Sequence, residues 1–182
     1  ISDAMHISFD AGKTWTGFEG DTTRYLNSMF GDHRCMWLDP KAGNHMLLGS
    51  DGGIYETFDA GKTTRHFYQI PIEEIYAVGY DFLTPYNIYI GLQDHDVWRG
   101  PSNSWAGEIG PEEWITVGSG DGMYCHTDKE TGRWIYSTGQ FGQQLLLDAW
   151  TGKSTPIMPK AAEGKPSYRY TWATPLMLSP HN

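Results

Sequence analysis

The chain has 182 residues, enough for a single domain with a substantial core, because the share of surface buried on folding reaches roughly two-thirds at this length. Thirteen Lys and Arg stand against 22 Asp and Glu, a net charge of -9 that removes any general attraction to phosphate backbones or anionic lipid, so no nucleic-acid partner is expected. No run of 18 apolar residues suits membrane insertion, and 22 Gly, 10 Pro, 8 Trp and 11 Tyr describe tight turns around short aromatic-rich strands, so an all-β fold nearly without helix is expected.

In chain order, strands are expected at 4–9 and 14–19, closing an incomplete first unit over 1–20, followed by a loop from Asp21 to Phe30. A second unit over 34–69 has strands at 34–39, 45–50, 53–58 and 63–69. The third, 75–117, has strands at 75–81, 87–92, 96–100 and 113–117, with a Gly, Ser and Pro loop at 101–112. The fourth, 122–158, has strands at 122–127, 133–138, 143–148 and 154–158. Ala161 to Pro166 then links to a last strand near 168–178, in a partial unit over 168–182. The N-terminus, Ile1-Ser2-Asp3, carries neither an initiator Met nor signal-peptide regions, so the chain reads as an internal portion of a larger protein.

A repeat underlies this layout. Phe9-Asp10-Ala11-Gly12-Lys13-Thr14 recurs letter for letter as Phe58-Asp59-Ala60-Gly61-Lys62-Thr63, one period later on the scale of roughly 40 to 50 residues that marks a four-stranded propeller blade. Strands ending in Gly before a polar turn recur as well, at Met46–Gly49, Ile88–Gly91 and Ile135–Gly139. The fold class expected is therefore an all-β β-propeller of four-stranded antiparallel blades, about three complete and partial at both ends. Its open sheet faces call for the remaining blades of the same larger protein.

Ser8-Phe9-Asp10-Ala11-Gly12-Lys13-Thr14-Trp15 fits the pattern S-x-D-x-G-x-T-W and resembles the Asp box, the bacterial neuraminidase repeat. Asp10 can accept from the turn's own amides, Gly12 can take a positive φ, and Trp15 can fold back onto the sheet. The second copy keeps Asp59 and Gly61 but has Thr57 for Ser and Thr64 for Trp, and Asp148–Lys153 reads as a decayed third copy. The resemblance implies that such turns lie on the blade periphery, so Ser8, Asp10, Gly12, Thr14, Trp15, Asp59 and Gly61 are structural candidates.

The strand order gathers other loops at the opposite end: Asp32 and His33; Ser50-Asp51-Gly52-Gly53; Gln93-Asp94-His95-Asp96; Ser119-Gly120-Asp121-Gly122; and Gln140. Acids recurring at blade spacing on loops of a rigid scaffold suit a ligand site, although Asp-Gly pairs also make plain β-turns. The run His45–Asp59 resembles the strand, Asp-x-Gly-Gly loop and strand of xyloglucan-cleaving glycoside hydrolases, which implies an acid or base role for Asp51. Glycoside hydrolysis needs a second carboxylate, for which Asp94 and Asp121 are candidates beside any outside this chain.

A broader resemblance rests on Asp32-His33, Asp39-Pro40, Gly49–Gly53, Pro85-Tyr86, Gln93-Asp94, Trp98–Pro101, Gly120–Gly122, Tyr168–Trp172 and Ser179-Pro180-His181. These look like the large bacterial sortilin-like propeller proteins, often labelled glycosyl hydrolases, while sortilin propellers themselves bind peptides and proteins. Asp32, His33, Gln93, His95, Asp96, Trp98 and Arg169 are the ligand-binding candidates, and an extracellular or periplasmic location is expected.

Gly118–Gly122 looks like a phosphate loop, but no helix follows to hold a phosphate. Seven His include no zinc-type spacing, so neither a metal site nor a cofactor is expected; His33, His95 and Asp96 would join one only if the fold gathers them. No Ser, His and Asp set suits nucleophilic catalysis. Tyr86, Trp98, Trp105 and Tyr124 suit either sugar stacking or inter-blade packing. Cys35 and Cys125 are expected as buried free thiols in innermost strands of different blades. Two functions follow: a module whose acidic rim binds a polysaccharide or glycan, with hydrolysis left open, or a non-catalytic sortilin-like peptide- or protein-binding or structural subunit of a cell-surface assembly.

Overall fold

The computed structural model describes residues 5–17, 29–67, 69, 70 and 72–181, in two compact units over 1–72 and 73–182. Among the described residues the chain is all-β, and its only helical turns are of the short 3-10 kind. In the first unit, β1 (His6–Ile7) and β2 (Thr16–Gly17) form a hairpin across the repeated turn. Then β3 (His33–Leu38), β4 (Met46–Ser50), β5 (Gly53–Thr57) and β6 (Arg65–His66) pair antiparallel in chain order. Period-2 alternation puts Met46, Leu48, Tyr55 and Thr57 in the buried positions. The Tyr55 ring stacks on His66 at 4.3 Å, and its hydroxyl accepts the Phe30 N–H at 3.2 Å, tying the chain before β3 to β5.

The second unit holds two more sheets of the same pattern. The first of them is β7 (Ile75–Tyr80), β8 (Asn87–Leu92), β9 (Val97–Pro101) and β10 (Ile115–Gly118). The other is β11 (Cys125–Thr127), β12 (Trp134–Thr138), β13 (Gln144–Asp148) and β14 (Lys153–Pro156). They pack face to face, Tyr89, Val97 and Val117 from one against Cys125 and Ile135 from the other, with Leu147 and Ala149 alongside. The fourth strand of one sheet, β10, runs on into the first strand of the next, β11.

Two glycines set the separation of these sheets. A Cβ on Gly79 would come within 2.5 Å of the Cys125 carbonyl oxygen, and one on Gly91 would reach the Met123 carbonyl oxygen. The backbone leading into β11 thus lies on the β7–β8 surface where side chains would otherwise stand. Burial pushes the Cys125 thiol up to about 12, so this sulfur behaves as a packed apolar group; both cysteines are free, but Cys35 on β3 is exposed rather than buried as expected.

Several expected boundaries shift. The last strand near 168–178 does not form: the segment turns at Trp172–Ala173 and pairs with no strand, its backbone oxygens going to single points, Trp172 O to the Phe141 N–H at 3.0 Å and Leu176 O to His126 Nε2 at 2.7 Å. The strand at 63–69 shortens to Arg65–His66, the one at 113–117 moves to Ile115–Gly118 behind a 3-10 turn at Pro111–Glu113, and the one at 122–127 starts at Cys125. That last shift arises because the Gly122 N–H bonds across to Leu92 O in the neighbouring sheet, at 2.8 Å. Residues 1–4 and 18–20 of the expected first unit, and most of the Asp21–Phe30 loop, lie outside the described residues.

Candidate functional site

The repeated turn has the same geometry in both copies. Asp10 accepts from the Thr14 N–H at 2.8 Å and the Thr14 hydroxyl at 2.6 Å, while Ser8 Oγ accepts the Gly12 N–H at 2.7 Å. Asp59 accepts from the Thr63 N–H at 2.9 Å and its hydroxyl at 2.8 Å, with Thr57 Oγ1 on the Gly61 N–H at 2.9 Å. Ala11 and Ala60 both have φ 57°, and Gly12 and Gly61 follow at 83° and 86°. The Thr14 hydroxyl and amide hold the Asp10 carboxyl down to about 2, and the Thr63 amide lowers that of Asp59. Both carboxylates are therefore engaged in closing a turn. Trp15 does not fold onto the described part of the sheet: its Nε1 donates to Gly12 O at 3.2 Å and its ring stays 62% exposed.

At the other end of the first two four-stranded sheets a second repeat appears that the letters do not show. A β-bulge interrupts β3 between His33 and Cys35, and another interrupts β7 between Ile75 and Ala77. The residue skipped, Arg34 or Tyr76, is re-aimed at the loop that follows the next strand. Arg34 forms a two-pronged ion pair with Asp51, both contacts at 2.5 Å, and the Gln93 side-chain amide N–H donates to the Tyr76 hydroxyl at 3.1 Å and to the Glu74 carboxylate at 3.0 Å. The bulges thereby align Asp51 with Gln93 rather than with Asp94. A proton on Asp51, which an acid role requires, would have to displace one prong of the guanidinium. Asp32 precedes β3 with φ 53°, and His33 opens the strand opposite Ser50.

Within the second unit the β8–β9 loop, the β10–β11 connection and the β12–β13 loop meet. Asp121 Oδ1 accepts the Asp94 N–H at 3.0 Å, Asp96 Oδ1 accepts the Gly120 N–H at 2.8 Å, and Gln140 Oε1 accepts the Asp121 N–H at 2.9 Å. Asp121 is only 7% exposed. Asp94 and Asp96 have φ of 59° and 68°, in the left-handed region that Asp tolerates better than most residues. His95 Nδ1 lies 3.3 Å from Glu73, the Gln93 N–H donates to Glu74 O at 3.0 Å, and the Trp98 indole donates to His95 O. These oxygens latch loop to loop, and the Gly120 amide faces a carboxylate rather than a phosphate.

Arg169 is exposed on the C-terminal segment beside Tyr170, whose ring covers Gly142 in the β12–β13 loop. Phe141, at φ 55°, meets Trp172 edge-on at 5.0 Å, so that segment reaches the same end of the sheet. Sequence reasoning did not single out Arg34, Tyr76, Glu73 or Phe141 as site residues. Nothing in the letters marks a bulge, and Arg34 meets Asp51 only through strand pairing. Of the candidate stacking aromatics, Tyr124 is exposed just before β11, Trp105 is fully exposed in the 101–112 loop, and Tyr86 lines an open concavity of about 640 Å³ with Val78, Tyr80, Phe82, Leu83 and Ile88.

The class these features define is an all-β protein of four-stranded antiparallel sheets, with loops latched together at one end of the second and third. Among known proteins, neither a family model nor a curated protein matches the chain.

Proposed function

We propose that the three sheets are blades of a β-propeller of the Asp-box type, and that the chain belongs to a secreted or periplasmic module that binds a polysaccharide or glycan without hydrolysing it. The observation that carries the reading is the junction in the second unit. One sheet's last strand feeds the next sheet's first, the sheets stack on glycine backbone, and the polar loops come to a shared end. Binding is favoured over cleavage because Asp51, Asp96 and Asp121 spend oxygens on an arginine or on backbone amides, whereas hydrolysis needs two carboxyl groups facing a bond. In the second unit Tyr76, Gln93 and Trp98 supply donors and ring faces for a sugar.

The alternative, a sortilin-like peptide-binding module, draws on the Arg34–Asp51 ion pair in the first unit, the kind of paired charge that a peptide's own charged groups could engage. Titration of the protein with xyloglucan, mixed-linkage β-glucan and sialyllactose, with reducing sugar followed in parallel, tests the choice. The expected result is saturable binding of a glycan, no sugar release, and at least tenfold weaker binding by Tyr76→Ala. Release of reducing ends that Asp51→Asn abolishes would establish hydrolysis instead, and binding confined to peptides would establish the alternative.

A further inference from the structure

The opposite end of the sheets carries a pattern that neither the turns nor the loops explain. In the third sheet the Arg133 guanidinium sits between two indoles, 4.5 Å from the Trp134 ring and 4.6 Å from the Trp150 ring. Asp148 fixes it with two prongs at 3.0 and 2.8 Å, and the same carboxylate accepts the Trp150 N–H at 3.1 Å. Comparable sandwiches recur at the corresponding end of the other sheets. His45, held by Asp39 and Glu56, stacks on Phe58 at 4.4 Å with Trp37 edge-on at 5.5 Å. Lys129 lies 4.1 Å from the Tyr80 ring and 4.9 Å from that of Phe82.

Arg133, Lys129 and His45 are each already paired with rings, yet the outer rings stay in water: Trp150 is 67% exposed and Phe58 58%. Trp150 is therefore a flat apolar surface held in place before any partner arrives, the condition under which stacking loses least entropy. Its chemistry narrows the partner. With Arg133 on one face of the ring, a second cation on the other would meet that positive charge across the ring. The net charge of -9 disfavours an anion. A neutral pyranose, whose C–H faces carry slight positive charge toward an electron-rich ring, fits both constraints.

We propose that Trp150, braced by Arg133 and Asp148, is a stacking platform for a neutral polysaccharide. It lies about 13 Å along β12 from the loops assigned above, and is independent of them. Affinity electrophoresis in gels cast with laminarin, xyloglucan or galactomannan is the test. The wild-type chain should be retarded by at least one of them, unchanged by 0.5 M NaCl because a neutral stack is not screened. Trp150→Ala should weaken retardation at least tenfold, Trp150→Phe should restore part of it, and Met177→Ala, an exposed apolar residue outside both sites, should leave it intact. As a check that needs no variant, the retarding polysaccharide should protect Trp150 from N-bromosuccinimide, read by peptide mass spectrometry. Absence of retardation by all three polymers, equal retardation of Trp150→Ala, or unprotected Trp150 would each overturn the platform. Loss in Tyr76→Ala alone would count against it while supporting the loop site.

Discussion

Replacing Gly91 by Ala tests the packing that places the polar loops. The added Cβ would lie 2.5 Å from the Gly122 carbonyl oxygen and 2.7 Å from its carbon, nearer still to Met123 O. Ordinary carbon–oxygen contact needs roughly 3.4 Å, so the backbone entering β11 must retreat by about 1 Å. These atoms are main chain, and no rotamer change relieves them. The retreat strains the Gly122 N–H bond to Leu92 O and the Met123 N–H bond to Thr138 O, both 2.8 Å, and parts Tyr89 and Val97 from Cys125. Overpacking of this kind costs about 3 kcal/mol, at the upper end for a single methyl. For a unit of this size that is a fall in Tm of roughly 10 °C. Thermal unfolding followed by near-ultraviolet circular dichroism measures it, with Gly43→Ala as control, since nothing lies within 4 Å of a Cβ there. Equal melting of the two variants would refute the close approach of the two sheets.

Asp121→Ala leaves the Asp94 N–H without its acceptor and should cost about 1–3 kcal/mol, with faster hydrogen exchange at that amide; unchanged exchange would deny the latch. Ala60→Gly relieves a left-handed residue and should stabilise by about 0.5–1 kcal/mol in urea titration, while Gly61→Ala, at φ 86°, should destabilise. The carboxyls of Asp10, Asp59 and Asp128 are lowered from 3.8, so the unfolded chain binds more protons in acid. Their stabilisation is full above that value and is lost as pH falls toward 2, and Asp10→Asn should flatten this acid limb of Tm against pH. His45 is raised above 6.5, first by Glu56 and then by Asp39. Its contribution is present below 6.5 and lost as pH rises through the folded value, which His45 resonances in a proton NMR titration would report.

The identical hexapeptide at 9–14 and 58–63 marked two turns whose bonds and dihedrals coincide, because an Asx-type turn closes within a few residues and needs no distant partner. The run 87–92 likewise marked β8, where alternating apolar residues meet a buried face. Residues 168–178 misled for the opposite reason: Tyr, Trp and Thr have strand propensity, but a strand exists only where another offers a ladder. The acidic loops were legible as a list and illegible as chemistry. Whether Asp51 faces a substrate or Arg34, and whether Asp121 is exposed or buried under the Asp94 loop, depends on strand register and on the approach of two sheets.

By itself, then, the sequence determined what is local: the all-β character, the hairpin units and the turns that return each strand on its neighbour. Tertiary structure decided what depends on contacts between residues far apart in the chain: the bulges that aim Arg34 and Tyr76, the glycine surface on which β11 rests, and the aromatic sandwiches that hold Trp150 in the open. The physical reason is range. A turn satisfies its own backbone within four or five residues, whereas a side chain on a sheet acquires its neighbours only once register and inter-sheet spacing are fixed.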